Sequence, residues 1–398
     1  MCIAKPVMTA ARRPMLSREV SDAAIDIAEL VARRLSTARS LGRGLCGPAG
    51  ISMLYAALAE ATNDVEYARL AHHFLSQAAS SGEPPIRRLF SGVDGLLAAA
   101  TYASRIDPLY ARLANRCEVA VEQSPSPELG KPLSFDVYDI VSGWAGDCLA
   151  FYMRPPSVAK RQSLNYLIWL TAGERDRWSC PHPLDRLGAP RNDLGMAHGI
   201  AGVLSALTLI SPEGSPVHDA AIKQIAAWIA ANTIDASSPC WGGYIDPRGQ
   251  QPARAAWCYG TPGVAAALFQ AAVRINDIPL QQLAIDALER QSEAPIDTWG
   301  MKDHAICHGS MGNALIFASV GVASGNLALL NIAEQLVTRV VDSFNKNYPY
   351  GYLGASLDEA EGAANLLEGA SGIALSLLTL ACRADPSWMV YFGLAPAF

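Results

Sequence analysis

The sequence has little charge for its length: Asp, Glu, Lys and Arg make up only 17% of its 398 residues, against 51% hydrophobic residues. A chain this apolar can bury a large core, which excludes general disorder. Basic residues are not in excess, because 31 Lys and Arg face 37 Asp and Glu and leave a formal net charge of -6. We therefore expect no nucleic-acid partner held by overall charge.

Long apolar runs are also missing. The longest, such as residues 199–210, fall short of the roughly 18–20 residues that a membrane-spanning helix needs. The first residues lack the apolar core of a signal peptide. The nine cysteines are odd in number and follow no regular spacing, which argues against a secreted disulfide framework. These features predict a cytoplasmic protein without a transmembrane segment.

What the sequence does contain is a repeat. A Gly-x-x-Gly phrase followed by an apolar run occurs seven times, with about 50 residues between successive phrases. Apolar residues after each phrase follow the spacing of a helix, and a second, amphipathic helical pattern lies between phrases. The glycine pairs are Gly47/Gly50, Gly92/Gly95, Gly143/Gly146, Gly199/Gly202, Gly260/Gly263, Gly309/Gly312 and Gly369/Gly372.

Two helices and two turns per repeat account for this period. We therefore predict an all-α protein, an α/α toroid of seven helical hairpins with inner and outer layers; an open solenoid is the alternative. The toroid is expected to occupy residues 41–398. Residues 1–40 are expected to form an N-terminal extension whose helix, over 21–36, closes the ring. Because β-branched alternation is weak, we expect no sheet.

Reactive side chains share one register of the repeat. Cys258 and Cys307 each stand two residues before the first glycine of a phrase, and His198, Tyr259 and His308 each stand one residue before it. If the repeats are equivalent in space, these side chains meet at one end of the ring. Two thiolates and one imidazole form a zinc site with an open fourth position, as in catalytic zinc sites. The alternative is that both cysteines are core thiols, because other repeats have aliphatic residues there.

Five further residues lie in this register or close to it. Asp139 precedes a first glycine by four residues, and Arg254 precedes Cys258 by four; on the sequence alone, an ordinary surface or helix-end charge is the favoured interpretation of each. His304 is the best spare metal ligand by its closeness to Cys307. Cys46 and Glu368 share the register of the reactive side chains but have no evident partner, so we expect structural roles for them.

Three short motifs of the sequence resemble the motifs of a known family. Gly195-Met-Ala-His198-Gly199, Trp257-Cys258-Tyr259-Gly260 and Cys307-His308-Gly309 resemble, in order, the signature motifs of the lanthionine synthetase C-like family. The Trp-Cys-Tyr-Gly form is closer to the bacterial lantibiotic cyclases than to the eukaryotic relatives. The resemblance covers roughly residues 40 to 380 and implies an α/α toroid with one zinc ion near its mouth. It implies Cys258, Cys307 and His308 as metal ligands and His198, Asp139, Arg254 and Tyr259 as catalytic residues.

The resemblance also implies a reaction and partners. A cysteine thiol of a dehydrated precursor peptide adds to dehydroalanine or dehydrobutyrine, and a thioether ring closes. His198 would protonate the resulting enolate, with Asp139 orienting it. Because the toroid fills the chain, a separate dehydratase would prepare the peptide. We expect the cyclase to work in the cytoplasm, in a complex with that dehydratase and a transporter at the membrane.

Other functions remain open on the sequence alone. A non-catalytic zinc scaffold that binds peptides would have no use for an acid beside an open metal site. A glutathione-using thiol transferase would share the zinc and differ in its substrate. A toroidal glycosidase needs paired carboxylic acids, and no convincing pair stands in the glycine register. No phosphate-binding glycine loop, nucleophile elbow or kinase signature occurs.

Overall fold

In the computed structural model of this chain, residues 15–39, 42–80, 86–124, 135–171, 178–181, 190–235, 237–353 and 364–397 are described. Helices dominate them and alternate between two kinds along the chain. One kind is buried over most of its surface: α2 Pro48–Thr62, α4 Val93–Ala103, α7 Trp144–Ala150, α9 Ile200–Ile210, α11 Thr261–Ile275, α13 Ser310–Ser324 and α15 Ala370–Leu380. The other kind is amphipathic: α1 Arg18–Leu35, α3 Val65–Ala79, α5 Tyr110–Gln123, α8 Val158–Thr171, α10 Pro216–Ala231, α12 Ile278–Glu293 and α14 Leu327–Asp342, while α6 Phe135–Tyr138 is a single turn.

The buried helices form an inner layer and the amphipathic helices an outer one. In α13 even the small polar residues Ser310, Asn313 and Ser319 are buried, whereas α14 buries only one stripe at helical spacing, including Leu329 and Val340. Each inner helix packs against the outer helix of its own hairpin, and α1 packs against α15 and α14. Among the described residues, no helix is both long enough and apolar enough to cross a membrane.

The inner helices close into a ring. Each contacts the next one in the order α2, α4, α7, α9, α11, α13 and α15, and α15 contacts α2 again. A solenoid would leave its first and last inner helices apart. The prediction of a seven-hairpin α/α toroid is therefore confirmed, and the open alternative is wrong.

The second glycine of each phrase is where neighbouring repeats touch. A Cβ on Gly263 would collide with the carbonyl of Trp257 and press on the Cβ of Met196 in the preceding repeat. A Cβ on Gly50 would press in the same way on Leu366, which belongs to the last repeat. The glycines thus permit close backbone approach all around the ring, including the point where it closes.

Backbone hydrogen bonds connect the turns that precede the inner helices. From each of the first six turns, an amide near the first glycine donates to a carbonyl of the next turn, always that of the residue two positions before its first glycine. The donor and acceptor pairs are Cys46 to Phe90 at 2.9 Å, Phe90 to Val141 at 3.5 Å, Ile140 to Ala197 at 3.1 Å, Ala197 to Cys258 at 3.2 Å, Cys258 to Cys307 at 3.1 Å and Cys307 to Leu367 at 3.0 Å. Positions that are equivalent in sequence are therefore neighbours in space at one end of the toroid.

A small antiparallel sheet stands beside the fourth and fifth repeats, so the expectation of no sheet is wrong. Its strands are β1 Cys180–Pro181, β2 Pro190–Asp193, β3 Tyr244–Asp246 and β4 Gly249–Gln251, paired in that order. With two to four mostly polar residues each, they are too short to show an alternating pattern. The sheet matters for the site because β2 ends at Asp193, just before the fourth Gly-x-x-Gly phrase.

Residues 386–397, here called the central plug, fill the middle of the ring. They begin with a 3₁₀ helix, Pro386–Phe392, whose Trp388 and Phe392 are fully buried. The indole of Trp257 donates to the Phe392 carbonyl at 2.7 Å, and Gln270 donates to the Gly393 carbonyl at 2.8 Å. The central plug binds the inner helices from the centre of the ring. It is not part of the repeat, so the repeat pattern does not predict it.

Candidate functional site

Two cysteine thiols meet on consecutive turns at the phrase-bearing end of the ring. Cys258 is buried and Cys307 is half-buried. A hydrogen bond from the Cys307 thiol lowers the pKa of Cys258 below its usual value. The same bond, together with burial, raises the pKa of Cys307 well above its usual value. The two thiols therefore lie close enough for each to affect the ionisation of the other.

His308 and Glu368 lie next to this pair. The Sγ of Cys307, a ring nitrogen of His308 and a carboxylate oxygen of Glu368 all lie within 4.8 Å of one another; the Cys258 thiol is not part of this close group. Nε2 of His308 is 3.8 Å from Oε1 of Glu368. We expected no partner for Glu368 from the sequence, but it lies against two of the predicted metal ligands. His304 does not join them, because its Nδ1 bonds the hydroxyl of Ser310 at 3.2 Å.

A second carboxylate lies on the other side of the His308 ring. Oδ2 of Asp303 is 4.0 Å from Nδ1 of His308, and both atoms are buried without a hydrogen-bond partner among the described residues. The other oxygen of Asp303 accepts the amide of Ala305 at 2.9 Å, which holds the carboxylate in place. Thiols, imidazole and carboxylate are the donors that zinc prefers, and buried orphan atoms of opposite character suit an imidazole that carries a metal. The residues fit a zinc ion.

The turn that carries Cys258 differs from its neighbours. Gly260 has φ of 86°, while Gly199 and Gly309 at the equivalent positions have extended backbone. Glycine reaches this left-handed region without the strain that a side chain causes. The Ala256 amide donates to the Tyr259 carbonyl at 3.1 Å across the same turn. The backbone of this motif thus fixes where the Cys258 thiol and the tyrosine ring are presented.

His198 and Asp139 form a tight pair on the neighbouring turns. Nδ1 of His198 is 2.6 Å from Oδ2 of Asp139. The other oxygen, Oδ1, accepts the amides of Ser142 at 2.6 Å and Gly143 at 2.9 Å. Burial raises the pKa of Asp139, and the hydrogen bond from His198 opposes that shift. Burial alone would lower the pKa of His198, but the hydrogen bond and charge of Asp139 outweigh it and raise that pKa above its usual value.

Tyr259 belongs to a second carboxylate system that sequence reasoning missed. Its hydroxyl donates to Oδ1 of Asp193 at 3.4 Å, and Arg191 holds the same carboxylate through two contacts of 3.0 and 3.1 Å. The rings of Tyr259 and His198 have centroids 6.1 Å apart. Asp193 is fully buried, and its charge also raises the pKa of His198. Tyr259 therefore lies beside His198 and is held there by Asp193.

Arg254 is not part of the His198–Asp139 pair. Within the described part of the chain it forms no hydrogen bond or ion pair, and both oxygens of Asp139 already have other partners. Its positive charge acts on the thiols instead, since it helps lower the pKa of Cys258 after the Cys307 hydrogen bond. Asp193, Arg254 and Asp303 all stand six residues before the first glycine of a phrase. Reading the register at that offset is the signal that would have found the two aspartates.

Comparison with known proteins decides the family. Residues 42–392 match the family described as lanthionine synthetase C-like protein. The chain belongs to this family. The resemblance that we drew from its three motifs is thereby confirmed.

The fold of this lanthionine synthetase C-like chain is also found in a solved structure. It is similar to nisin cyclase with a TM-score of 0.73 and 17% identity, over 94% of this chain and 97% of that one. At that identity the similarity shows the toroidal fold alone. A sugar epimerase from a ruminal bacterium (TM-score 0.43, 12% identity, 82% and 88% coverage) and an alpha-1,6-mannanase from a Salegentibacter species (TM-score 0.45, 12% identity, 90% and 98% coverage) are too distant to bear on its chemistry.

Proposed function

We propose that this chain is a zinc-dependent lanthipeptide cyclase. It would add cysteine thiols of a dehydrated precursor peptide to dehydroalanine or dehydrobutyrine and so form lanthionine or methyllanthionine rings. The observation that carries the proposal is the arrangement of the turns. The Cys258–Cys307 thiol pair and His308 lie beside the His198–Asp139 pair, at the same end of one closed ring. Family membership and the name of the nisin cyclase neighbour agree with it.

Cys258, Cys307 and His308 would hold one zinc ion. When bound, zinc supplies a Lewis acid that keeps the peptide thiol ionised near neutral pH, where a free thiol is mostly protonated. Both sulfurs would bind the cation as thiolates, so each thiol must lose its proton on metal binding. The charge of Arg254 favours the ionised state of Cys258.

His198 would deliver the proton that completes the addition. As the peptide sulfur bonds to the β-carbon, the double bond opens and the α-carbon needs one proton. Because Nδ1 of His198 is bonded to Asp139, the proton is transferred from Nε2. A raised pKa keeps more of the ring protonated near neutral pH, as a general acid requires. Asp139, held by two backbone amides, keeps the ring in this orientation.

Tyr259 would shape the pocket beside His198. Its hydroxyl is engaged by Asp193, so the ring is fixed next to His198 and cannot swing into the space where the peptide binds. Packing against Gly195 restricts it further, since a Cβ at that glycine would collide with the tyrosine ring. We assign Tyr259 a role in shaping the pocket and Asp193 the role of anchoring it.

The partners follow from this chemistry. A precursor peptide must have lost water from serine or threonine before the thiol can add, so a dehydratase must act first. We propose that the chain works with that dehydratase and with a transporter for the product, as expected from the sequence.

The test uses the purified protein, metal analysis, and a synthetic peptide with one cysteine and one dehydroalanine. Cyclisation leaves the peptide mass unchanged but removes the thiol from alkylation, which mass spectrometry reads directly. Wild-type protein should carry about one zinc ion and protect the thiol, whereas Cys258→Ala should lose both properties. Cys117→Ala, a change at a buried cysteine of the outer helix α5, is the matched control and should keep both.

Two results would contradict the proposal. Zinc-loaded wild-type protein that leaves every thiol open to alkylation would support the peptide-binding scaffold instead. A mass increase by one glutathione per dehydroalanine, when glutathione is supplied, would identify a thiol transferase.

A further inference from the structure

Glu368 is a charged residue of the phrase register whose position the proposed reaction leaves unexplained. It stands one residue before the first glycine of the seventh phrase, as His308 does in the sixth. The Cys307 amide donates to the Leu367 carbonyl at 3.0 Å, which places the two turns side by side. The amide of Glu368 donates to Oδ1 of Asn365 at 2.8 Å and fixes the backbone from which the side chain extends.

The carboxylate is held close to two predicted metal ligands but bonded to neither. Its Oε1 is 3.8 Å from Nε2 of His308, which is too long for a hydrogen bond. It accepts no hydrogen bond from any residue in the described ranges. Its side chain is 45% exposed, while the His308 side chain is 13% exposed.

The distances between the possible ligand atoms of Cys307, His308 and Glu368 are slightly longer than those around a bound zinc ion. Ligand atoms about 2.0–2.3 Å from a tetrahedral zinc ion stand roughly 3.3–3.8 Å apart. The Cys307, His308 and Glu368 atoms lie within 4.8 Å of one another, so a small rotation of the exposed Glu368 side chain would bring its carboxylate to this spacing. A second observation points the same way. The buried Nδ1 of His308 faces the unpartnered Oδ2 of Asp303, which leaves Nε2, on the Glu368 side, to face an ion.

We propose that Glu368 is the fourth ligand of the metal in the substrate-free enzyme and leaves when the peptide thiol binds. The inference rests on the proposed function for the metal and goes beyond it by assigning the fourth position to a residue of this chain. The exchange replaces one carboxylate by one thiolate, and the thiol proton passes to water. The charge around the metal is therefore the same before and after the exchange.

This arrangement gives the site a specific property. A resident carboxylate competes with water and with small thiols for the fourth position, so weakly binding thiols are held off. A cysteine that is delivered on a bound peptide has a high local concentration and displaces the carboxylate. Glu368 thus makes thiol entry depend on peptide binding.

The test uses Co²⁺-substituted full-length protein, with 2-mercaptoethanol as the entering thiol. Without thiol, Glu368→Gln should change the d–d absorption of the bound Co²⁺ relative to wild type. It should also weaken Zn²⁺ retention against a chelator by about tenfold or more. At saturating 2-mercaptoethanol the two spectra should converge, and the variant should reach saturation at lower thiol concentration. Glu213→Gln, an exposed change in the loop after α9, is the matched control and should behave as wild type in every measurement.

The outcomes separate this inference from the proposed function. Identical thiol-free spectra and equal Zn²⁺ retention in wild type and Glu368→Gln would overturn the role of Glu368. Wild-type protein that binds no Co²⁺ would overturn both proposals. If Glu368→Gln shows the expected spectral change but the wild type forms no thioether, the ligand assignment stands and the cyclase proposal fails.

Discussion

Nδ1 of His198 lies 2.6 Å from Oδ2 of Asp139, although 59 positions separate the two residues in the sequence. They meet because their turns are adjacent in the ring and are joined by the hydrogen bond from the Ile140 amide to the Ala197 carbonyl. The carboxylate is fully buried, while the imidazole side chain is 30% exposed. The pair therefore holds a partly exposed imidazole on a fixed carboxylate, an arrangement that suits a general acid.

Replacing His198 by Asn should slow thioether formation by about 10²- to 10⁴-fold, because a positioned general acid contributes rate gains of that order. Zinc content should stay the same, since His198 is not among the predicted ligands. His218→Asn is the control, as that histidine lies on the outer helix α10, bonded to Ser215. Rates come from the thiol-alkylation assay. A variant that cyclised at full rate would remove His198 from the mechanism.

The pH dependence of cyclisation should report the same pair. The protonated form of His198 acts as the acid, and its fraction falls as pH rises through its pKa. Because Asp139 raises that pKa, the alkaline limb of kcat/KM should lie above the usual value of about 6.5. Asp139→Asn removes the charge and the anionic acceptor, so the limb should move to lower pH and the rate should fall. An alkaline limb that does not move would show that another group titrates there.

Asp303 should act on the metal through His308. Its Oδ2 is 4.0 Å from Nδ1 of the imidazole, and a carboxylate in that place orients a ligating histidine and increases its basicity. Asp303→Asn should weaken Zn²⁺ affinity by about 10- to 100-fold in chelator competition. Asp297→Asn is a close control, because that residue lies in the same loop but is exposed and paired with Arg339 at 2.5 Å. Equal affinity in both variants would show that Asp303 only supports its loop.

The sequence predicted the ring and the grouping of turns because tandem repeats convert a period along the chain into a period in space. Cys258 and Cys307, 49 residues apart in sequence, are linked by a 3.1 Å backbone hydrogen bond for that reason. Structural elements and residues that are not part of the repeat could not be predicted in this way. The strands of the small sheet are too short for a pattern, and the central plug occurs once. Asp193 and Asp303 lie in loops where an isolated acidic residue looks like ordinary surface charge.

Two buried carboxyl groups, close to the second and third Gly-x-x-Gly phrases, allow a test of protein stability rather than of activity. Asp94 in α4 is fully buried near Asp147 in α7, and Arg87 binds Asp147 through two contacts of 2.8 and 3.0 Å. Arg87 is thus bonded to Asp147 and acts on Asp94 only through its charge. Burial, and then the charge of Asp147, raises the pKa of Asp94 well above its usual value, so we expect Asp94 to be the group that keeps its proton.

Asp94→Asn should therefore make the free energy of unfolding less dependent on pH. A carboxyl whose pKa is raised by folding contributes stability below its unfolded pKa of about 3.9, and that stability is lost as pH rises to the folded value. The loss is about 1.4 kcal/mol for each pH unit between the two values. Asparagine keeps the shape of the neutral acid and does not titrate, so the variant should gain on wild type as pH rises from about 4 in denaturant unfolding.

Asp147→Asn provides the contrast, since it leaves the charge of Arg87 buried without a partner. Breaking a buried ion pair in this way costs about 3–5 kcal/mol. The side chain of Ser163, which also donates to Asp147, would keep only part of its bonding. If the two asparagine variants lost equal stability at neutral pH, Asp94 would be ionised in the folded protein, and the assignment of the proton to Asp94 would be wrong.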